Sequence, residues 1–184
     1  MNNCIKSRPK IAFNDNDQEW VCSTLASLIE VHSGQDYKHL NEGDVPVYGT
    51  GGWMLNVDGV LSNENAVGIG RKGTIDKPFL LNAPFWTVDT LYYCTVKNNS
   101  NLDFIYALFQ SIDWKTKDES TGVPSLSKKA ILDTTVSYPV HKEDQMKIGK
   151  ILNILDKLIA FEKEKYESLI CAYQCVILRI SGLE

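Results

Sequence analysis

The chain has 184 residues, of which 43% are hydrophobic and 23% are charged, and its formal net charge is −4. This composition excludes a disordered or fibrous protein, and the length suits one globular domain with an appendage. The negative net charge does not indicate a protein that binds polyanions such as DNA. No apolar run is long enough to span a membrane, and the first residues lack the apolar core of a signal peptide, so we expect a cytoplasmic protein.

Two short helices are predicted in the first two thirds of the chain. Apolar residues recur at helical spacing between Asp17 and His32, behind residue types that cap helices. A second apolar stripe at helical spacing runs from Leu102 to Ile112, with Asn101 or the serine before it as the cap. The polar stretch DWKTKDESTGVPSLSKKA follows the second helix and is predicted to be a loop.

The region between the two helices is predicted to form short, curved strands. From residue 45 to residue 96 the chain consists of brief β-branched and aromatic runs separated by glycine, asparagine and proline, which are typical of strands and turns. These runs are VPVY, NVDGV, AVGIGR, PFLL, FWTV and LYYCTV.

The C-terminal segment carries the strongest pattern in the sequence. Ten positions spaced alternately four and three residues apart form a seam, and nine of them are apolar. This 3.5-residue period is that of a coiled coil, which needs a partner helix. The helix would be roughly 50 Å long, so we expect its first turns to cover the domain's own core and its distal half to project. We divide the chain into a globular domain (residues 1–140) and a helix (residues 141–184). The seam consists of Ile148, Leu152, Leu155, Ile159, Glu162, Tyr166, Leu169, Tyr173, Val176 and Ile180.

The sequence also supports one enzyme hypothesis. The turn GTGGW (residues 49–53) follows a short strand, a position where backbone amides often approach a phosphate. Together with the tetrapeptide NAPF (residues 82–85), it suggests a small S-adenosylmethionine-dependent adenine methyltransferase. That fold needs strands and helices in regular alternation, and no helical pattern lies between residues 45 and 96. The alternative is that both segments are tight turns between strands.

No other catalytic or metal-ligating constellation is found in the sequence. The three histidines are scattered, and no G-x-S-x-G, H-E-x-x-H or P-loop lysine occurs. The five cysteines include no C-x-x-C pair, so we predict neither a zinc site nor a disulfide framework and expect all five to be reduced. We therefore predict no catalytic residue and no metal site.

Cations occur in small local clusters. Arg71 and Lys72 follow the AVGIG run, Lys115 and Lys117 follow a tryptophan, and Lys128 follows a loop rich in serine and threonine. Lysine and arginine neutralise phosphates, while short polar side chains and backbone amides fix register and read base edges. The alternative, which the net charge favours, is that each cluster is a solvated turn.

Five segments occur in an order and spacing that resemble a known family. They are RPKIAFNDNDQEW (8–20), EGDVPVYGTGGW (42–53), SNENAVGIGRKGTID (62–76), FWTVDTLYYC (85–94) and TGVPSLSKKAILDTTVSYPVHKEDQMKIGKIL (121–152). Together they resemble the DNA specificity subunit of type I restriction-modification systems, as one target-recognition domain with its following helix. The family usually has P-x-P-x-x-x-E-Q before the helix. This chain departs from that pattern, because it keeps only Pro139 and has Asp144 before Gln145.

The resemblance implies an α/β (α+β) fold, with a globular target-recognition domain of short curved strands and a few helices, followed by one long coiled-coil helix. It implies a non-catalytic subunit that reads one half of an interrupted site in double-stranded DNA. Family members dock methyltransferase (M) subunits, which use S-adenosylmethionine, and restriction (R) subunits, which use ATP and Mg. No cofactor is expected in this chain.

Family members usually have two recognition domains and two helices, which pair antiparallel. This chain has one of each, so we expect a homodimer that pairs through the C-terminal helix and reads a palindromic interrupted site.

The resemblance also places the GTGGW turn on the DNA-facing side of the domain. Arg71 is the leading candidate there, because an arginine can bind guanine bidentately or hold a phosphate. A further hypothesis makes the chain an oligomerisation module that does not bind DNA. The candidate DNA-binding residues are Tyr48, Thr50, Gly51, Trp53, Arg71, Lys72, Lys115, Lys117, Thr121, Ser125 and Lys128.

Overall fold

The computed structural model describes residues 20–97 and 99–181. It combines small mixed sheets with a few helices and ends in one long helix, so the predicted α+β class is confirmed. None of the helices in these two ranges has the length and apolarity needed to cross a membrane.

The strands form three small sheets. In the first, β1 (Trp20–Thr24) pairs antiparallel with β9 (Thr135–Pro139). The second has the order β2 (Ile29–Ser33), β8 (Leu91–Val96), β5 (Ala66–Gly70) and β6 (Phe79–Leu81), with all pairs antiparallel. The third has the order β4 (Gly52–Val57), β3 (Val45–Gly49) and β7 (Trp86–Thr87), with β3 and β7 parallel. The strand-rich prediction for residues 45–96 is confirmed.

The predicted helix over residues 17–32 is wrong. The described part of this segment consists of β1, a single 3-10 turn (Leu25–Ser27) and β2. Every residue of β1 is paired with β9, and every residue of β2 is paired with β8. Pairing with distant strands therefore overrides the local helical spacing of the apolar residues, as tertiary context commonly does.

The helix predicted from Leu102 is confirmed as α1 (Leu102–Ser111). The side chain of Asn101 caps it by accepting a hydrogen bond from Phe104 N at 3.0 Å. The following loop is more ordered than predicted, because it contains a 3-10 helix (Trp114–Lys117) and α2 (Lys128–Leu132). NAPF (residues 82–85) is a turn between β6 and β7 with a cis bond at its proline, and no doubly wound sheet surrounds it.

The main core lies between the second sheet and the helices. All five residues of β5 are buried, because β8 and β6 flank it and α1 packs near it. Trp114 is 1% exposed, and its Nε1 donates a hydrogen bond to Phe109 O at 2.8 Å. The largest buried side chains of this core are Leu25, Ile29, Ile69, Ile105, Phe109, Trp114 and Ile131.

The cysteines differ from expectation at one position. Cys22 is disulfide-bonded, so the prediction that all five cysteines are reduced is wrong there. Cys94, Cys171 and Cys175 are free. Cys94 is fully buried in the core, and burial raises the pKa of its thiol far above the ordinary value, so it is a neutral core residue.

The long helix α3 (Lys142–Ser181) is joined to α1 by polar contacts in its first three turns. The buried Gln145 side chain accepts from Asn101 N at 3.1 Å and donates to Pro139 O at 3.0 Å. One turn later Gly149 lies against the start of α1, and Asn153 Nδ2 donates to Asp103 Oδ1 at 3.1 Å. These bonds fix the direction in which α3 leaves the domain.

Beyond these turns, α3 projects into solvent. Its 40 residues span about 60 Å, and every residue from Ile154 to Ile180 is exposed. Ile148 alone among the ten seam positions packs against the domain core. The expectation that the first turns cover the core and the rest projects is therefore confirmed.

Replacing Gly149 by alanine should destabilise the protein, although alanine ordinarily favours a helix interior by about 1 kcal/mol over glycine. A Cβ at this position would lie 2.7 Å from Phe104 N and 2.8 Å from Asn101 Oδ1, so α3 and α1 would have to separate. We expect the free energy of unfolding in urea to fall by about 1–3 kcal/mol. Gly51→Ala is the control, because its added Cβ meets no atom within 4 Å and should not destabilise. Equal stabilities of the two variants would contradict the close approach.

Candidate functional site

Three chain segments meet at one surface of the domain, which we call the three-loop surface. They are the β3–β4 turn (residues 49–52), the turn after β5 (residues 71–73) and the loop before α2 (residues 118–127). Gly73 N donates to Pro124 O at 2.9 Å, and Leu126 N donates to Arg71 O at 2.9 Å. A Cβ at Gly73 would lie 4.0 Å from Thr50 Oγ1, which places the first turn beside the second. Segments far apart in sequence thus form one surface.

Two glycines shape the turns of this surface. Gly52 has φ +105° and Gly73 has φ +88°, values that residues with a Cβ rarely adopt. The β3–β4 turn also carries a β-bulge, because Val47 pairs with Leu55 and Tyr48 with Trp53, which leaves Met54 as the extra residue. GTGGW is therefore a tight hairpin turn, as the non-enzymatic alternative predicted.

Cationic side chains surround a buried tyrosine at the centre of the surface. The guanidinium carbon of Arg71 and the ammonium of Lys128 each lie 5.9 Å from the centroid of the Tyr92 ring. Contacts of this kind hold cations over an aromatic face. Lys72 is exposed next to Arg71, and it pairs across a single β-bridge with Ser125. Sequence reasoning missed Tyr92, whose only signal was its place in the aromatic LYYCTV strand.

Arg71, Lys72 and Ser125 line a shallow pocket of about 200 Å³. The same pocket is lined by Glu119, so its charge is mixed. Ligand pockets for small molecules are ordinarily about 300–1,000 Å³. A pocket of this size suits one phosphate or one base edge better than a whole nucleotide cofactor.

Lys115 is neutralised by a neighbouring carboxylate. Its Nζ lies 2.9 Å from Asp76 Oδ2, and both groups are solvent-accessible. The hydrogen bond from Lys115 lowers the pKa of Asp76, and the same contact raises the pKa of the Lys115 ammonium. Lys117 is half-buried at the end of the same 3-10 helix. The charge of the Lys115 ammonium is therefore already paired with a carboxylate.

Two aromatic candidates lie away from the cationic centre. Tyr48 is half-buried, with its ring 6.1 Å from that of Phe79, and it packs against a small satellite core. Trp53 is 63% exposed, and its Nε1 donates to Asn56 Oδ1 at 2.9 Å. The Trp53 side chain lines a separate open groove of about 610 Å³ together with residues 37–38, 40–43 and 54–57. The contacts therefore bring Thr50, Arg71, Lys72, Ser125 and Lys128 together, but not Tyr48 or Trp53.

The first turn and the tip of the third loop are both exposed. Gly51 in the first turn and Thr121 in the third loop are accessible to solvent. At the base of the third loop, Asp118 Oδ1 accepts hydrogen bonds from Ser120 N and Ser125 N, each at 2.9 Å. Sequence reasoning missed Asp118, although an aspartate two residues before a serine is a known signal for a side-chain-closed turn.

Among residues 20–97 and 99–181, no group of three or more histidine, cysteine or acidic side chains is placed to hold a metal ion. Besides the carboxylates of Asp118 and Glu119, the three-loop surface presents cations, hydroxyls and backbone amides. Such groups bind anions and hydrogen-bond to acceptors, which is the chemistry of phosphate and base-edge contacts.

Several solved structures have a fold similar to that of this chain. The chain matches the type I restriction-modification S subunit from M. genitalium with a TM-score of 0.69 and 18% identity, over 81% of this chain and 42% of that one. The HsdS subunit from Thermoanaerobacter tengcongensis matches with a TM-score of 0.62 and 12% identity, over 84% of this chain and 41% of that one. A chain from a structure of complex assembly in the type I R-M system matches with a TM-score of 0.63 and 13% identity, over 83% and 42%.

These matches show that the chain has the S-subunit fold and spans less than half the length of those subunits. No curated protein sequence matches the chain significantly. A family model, however, matches residues 17–170, which is most of the chain. It describes a DNA specificity domain and not a catalytic one. The chain therefore belongs to the type I restriction modification DNA specificity domain family.

Proposed function

We propose that this chain is a sequence-specific DNA recognition subunit that reads one half of a bipartite target through the three-loop surface. The observation that carries the proposal is the convergence of Arg71 and Lys128 on the Tyr92 ring, with Lys72 lining the same pocket and bridged to the hydroxyl-bearing Ser125. The net charge of the chain is −4, so this local grouping of cations is not a consequence of a basic composition. Cations hold the phosphates, and the hydroxyls and amides are suited to base edges.

The second part of the proposal concerns the projecting helix. Nine seam positions from Leu152 to Ile180 are exposed, and eight of them, all but Glu162, carry apolar side chains, whose exposure to water favours association. Antiparallel pairing with a second copy would bury them and place two recognition domains at a fixed separation. Glu162 and Lys165 lie 3.8 Å apart on one helix. In the dimer each of them can pair instead with the opposite charge on the partner helix.

The homodimer would read a palindromic interrupted site and dock M and R subunits, which bring S-adenosylmethionine, ATP and Mg. In this arrangement residues 1–140 are the reading domain and residues 141–184 the spacer and dimerisation helix. The cytoplasmic location stays a prediction.

The exposed helix also favours one competing function, an oligomerisation module that binds no DNA. The two functions differ in whether the chain changes the methylation of DNA. The methyltransferase hypothesis has less support, because the described strands form no doubly wound sheet.

The deciding experiment is to co-express the chain with the methyltransferase subunit encoded beside it and to map N6-methyladenine across the host DNA. A palindromic interrupted motif would establish the half-subunit homodimer. An asymmetric motif would mean that the chain pairs with a different recognition domain. The absence of new methylation would favour the oligomerisation module.

Arg71→Ala should weaken DNA binding. A loss confined to one base position, worth about 1–3 kcal/mol, would identify base readout, whereas a uniform loss across sequences would identify a phosphate contact. Lys150→Ala removes the same charge from an exposed position on α3 and is the control. Binding isotherms on a panel of duplexes that differ at single positions separate these results. An Arg71→Ala protein that binds every duplex as the wild type does would remove Arg71 from the interface.

Asp76→Asn should strengthen duplex binding at low salt. The substitution removes a negative charge from the surface and frees the Lys115 ammonium, now 2.9 Å from the carboxylate, to neutralise a phosphate. Each added phosphate contact steepens the salt dependence of log K by about 0.9, which is measurable by titration at several ionic strengths. Asp144→Asn, which breaks a comparable pair with Lys147 on α3, should leave the slope unchanged. An unchanged slope in Asp76→Asn would mean that Lys115 does not contact DNA.

Leu169→Glu should dissociate the dimer. Leu169 is a seam position and is 67% exposed in the single chain, so the substitution is tolerated by the folded domain but places a carboxylate in the paired seam. We expect dimer affinity to fall at least about tenfold. Ser168→Glu puts the same charge on the neighbouring, non-seam position. Light scattering at micromolar concentration should show monomers for the first variant and dimers for the second, and dimers for both would contradict the seam.

A further inference from the structure

The third loop of the three-loop surface is closed at its base by a single carboxylate oxygen. Asp118 Oδ1 accepts hydrogen bonds from Ser120 N and Ser125 N, each at 2.9 Å, and so joins the two ends of the loop. Glu119 N donates to Ser125 O at 3.2 Å and adds a backbone bond to the closure. The Asp118 backbone is itself held, because its N–H donates to Lys115 O at 3.3 Å.

The closed loop is attached to the turn that carries Arg71. Gly73 N donates to Pro124 O and Leu126 N donates to Arg71 O, both at 2.9 Å, and Lys72 pairs with Ser125 across a β-bridge. Ser125 therefore donates its N–H to the Asp118 carboxylate and lies opposite Lys72 in the β-bridge. A change in the Asp118 closure would be transmitted directly to the Arg71 turn.

The tip of the loop has little apolar packing of its own. Residues 121–124, of sequence TGVP, are all exposed, and Val123 is 67% exposed. Loops with few buried contacts open at low cost unless hydrogen bonds or ligands hold them. The conformation of this tip accordingly depends on the hydrogen bonds at its base.

We propose that Asp118 is a positioning residue for DNA readout, whose carboxylate presets the 119–124 loop and its junction with the Arg71 turn before DNA is bound. This inference rests on the proposed function of the three-loop surface. Preorganisation matters here because ordering a loop on binding subtracts from affinity, and only a loop of defined shape discriminates between base sequences. Asp118 itself need not touch DNA.

The charge state of Asp118 agrees with this role. The amides of Ser125 and Ser120 lower the pKa of the Asp118 carboxyl. Because the folded-state pKa is lowered, the stabilisation by the ionised carboxylate is fully present above the ordinary aspartate pKa. It is lost as the pH falls through the lowered value. At neutral pH the carboxylate is therefore ionised and accepts both bonds.

The closure can be tested on the full-length chain without DNA. In Asp118→Ala, the amide protons of Ser120 and Ser125 should exchange with solvent at least about tenfold faster, measured by NMR, because they lose their acceptor. Asp118→Asn keeps an acceptor oxygen and should restore most of the protection. Asp58→Asn is the matched control, since Asp58 accepts two bonds from Asn41 at the opposite end of the β3–β4 hairpin. Unchanged exchange in Asp118→Ala would overturn the closure.

Readout is tested by selecting preferred sites from a random double-stranded DNA library with the wild type and the same three variants. For Asp118→Ala, we expect the preference between the best site and single-base variants to fall roughly tenfold, while low-salt binding to random duplex stays at the wild-type level. Asp118→Asn, whose amide oxygen is a weaker acceptor than a carboxylate, should show a preference between those of Asp118→Ala and the wild type, and Asp58→Asn should behave as wild type. Undiminished discrimination by a folded Asp118→Ala protein would overturn the inference while leaving the proposed function intact.

Two further outcomes keep the test decisive. If Asp118→Ala does not fold, the comparison of Asp118→Asn with Asp58→Asn decides, because loss of discrimination confined to the former still identifies Asp118, and its absence overturns the inference. If the wild type itself prefers no sequence, even with an M subunit present, the proposed function fails, and the positioning role for DNA fails with it.

Discussion

The position of the candidate site depends on one buried strand. All five residues of β5 are buried, and the strand hydrogen-bonds with β8 on one side and β6 on the other. Arg71 follows its last residue directly, and its own backbone is fixed on both sides by Thr90 and Leu126. Because the core holds β5, the Arg71 turn has little freedom to move, and the cations near Tyr92 are set in place by hydrophobic burial.

A second constraint determines how the domain and the long helix are related. The buried Gln145 side chain joins Asn101 N to Pro139 O, so one residue connects the start of α1, the end of β9 and the first turn of α3. A buried polar group of this kind is costly to leave unpaired, which makes the geometry of the joint specific. In the proposed homodimer, this joint and the length of α3 would together set the separation between the two reading domains.

The charges of the three-loop surface are balanced and not simply positive. Within it, Glu119 lines the same pocket as Arg71 and Lys72, and just outside it, three residues after Gly73, Asp76 pairs with Lys115. Non-specific attachment to DNA scales with the number of phosphates neutralised, so paired cations limit it. If the surface reads DNA, its affinity must then depend more on base contacts and loop shape than on bulk charge. A chain of net charge −4 is compatible with such a reader.

The sequence by itself determined the features that rest on local signals: the 3.5-residue repeat of α3, the helix α1 behind a cap at residue 100 or 101, the short strands between residues 45 and 96, and the turn at GTGGW. The tertiary structure alone decided that residues 20–33 form two strands joined by a 3-10 turn and not one helix, because β1 and β2 pair with β9 and β8, far along the chain. It also decided that Arg71 and Lys128 share Tyr92 and that Asp118 closes a loop joined to the Arg71 turn. Spacing along the chain reports which residues share a helix face or a turn. Contacts between distant segments depend on how the whole core packs, and they cannot be predicted from a local sequence pattern.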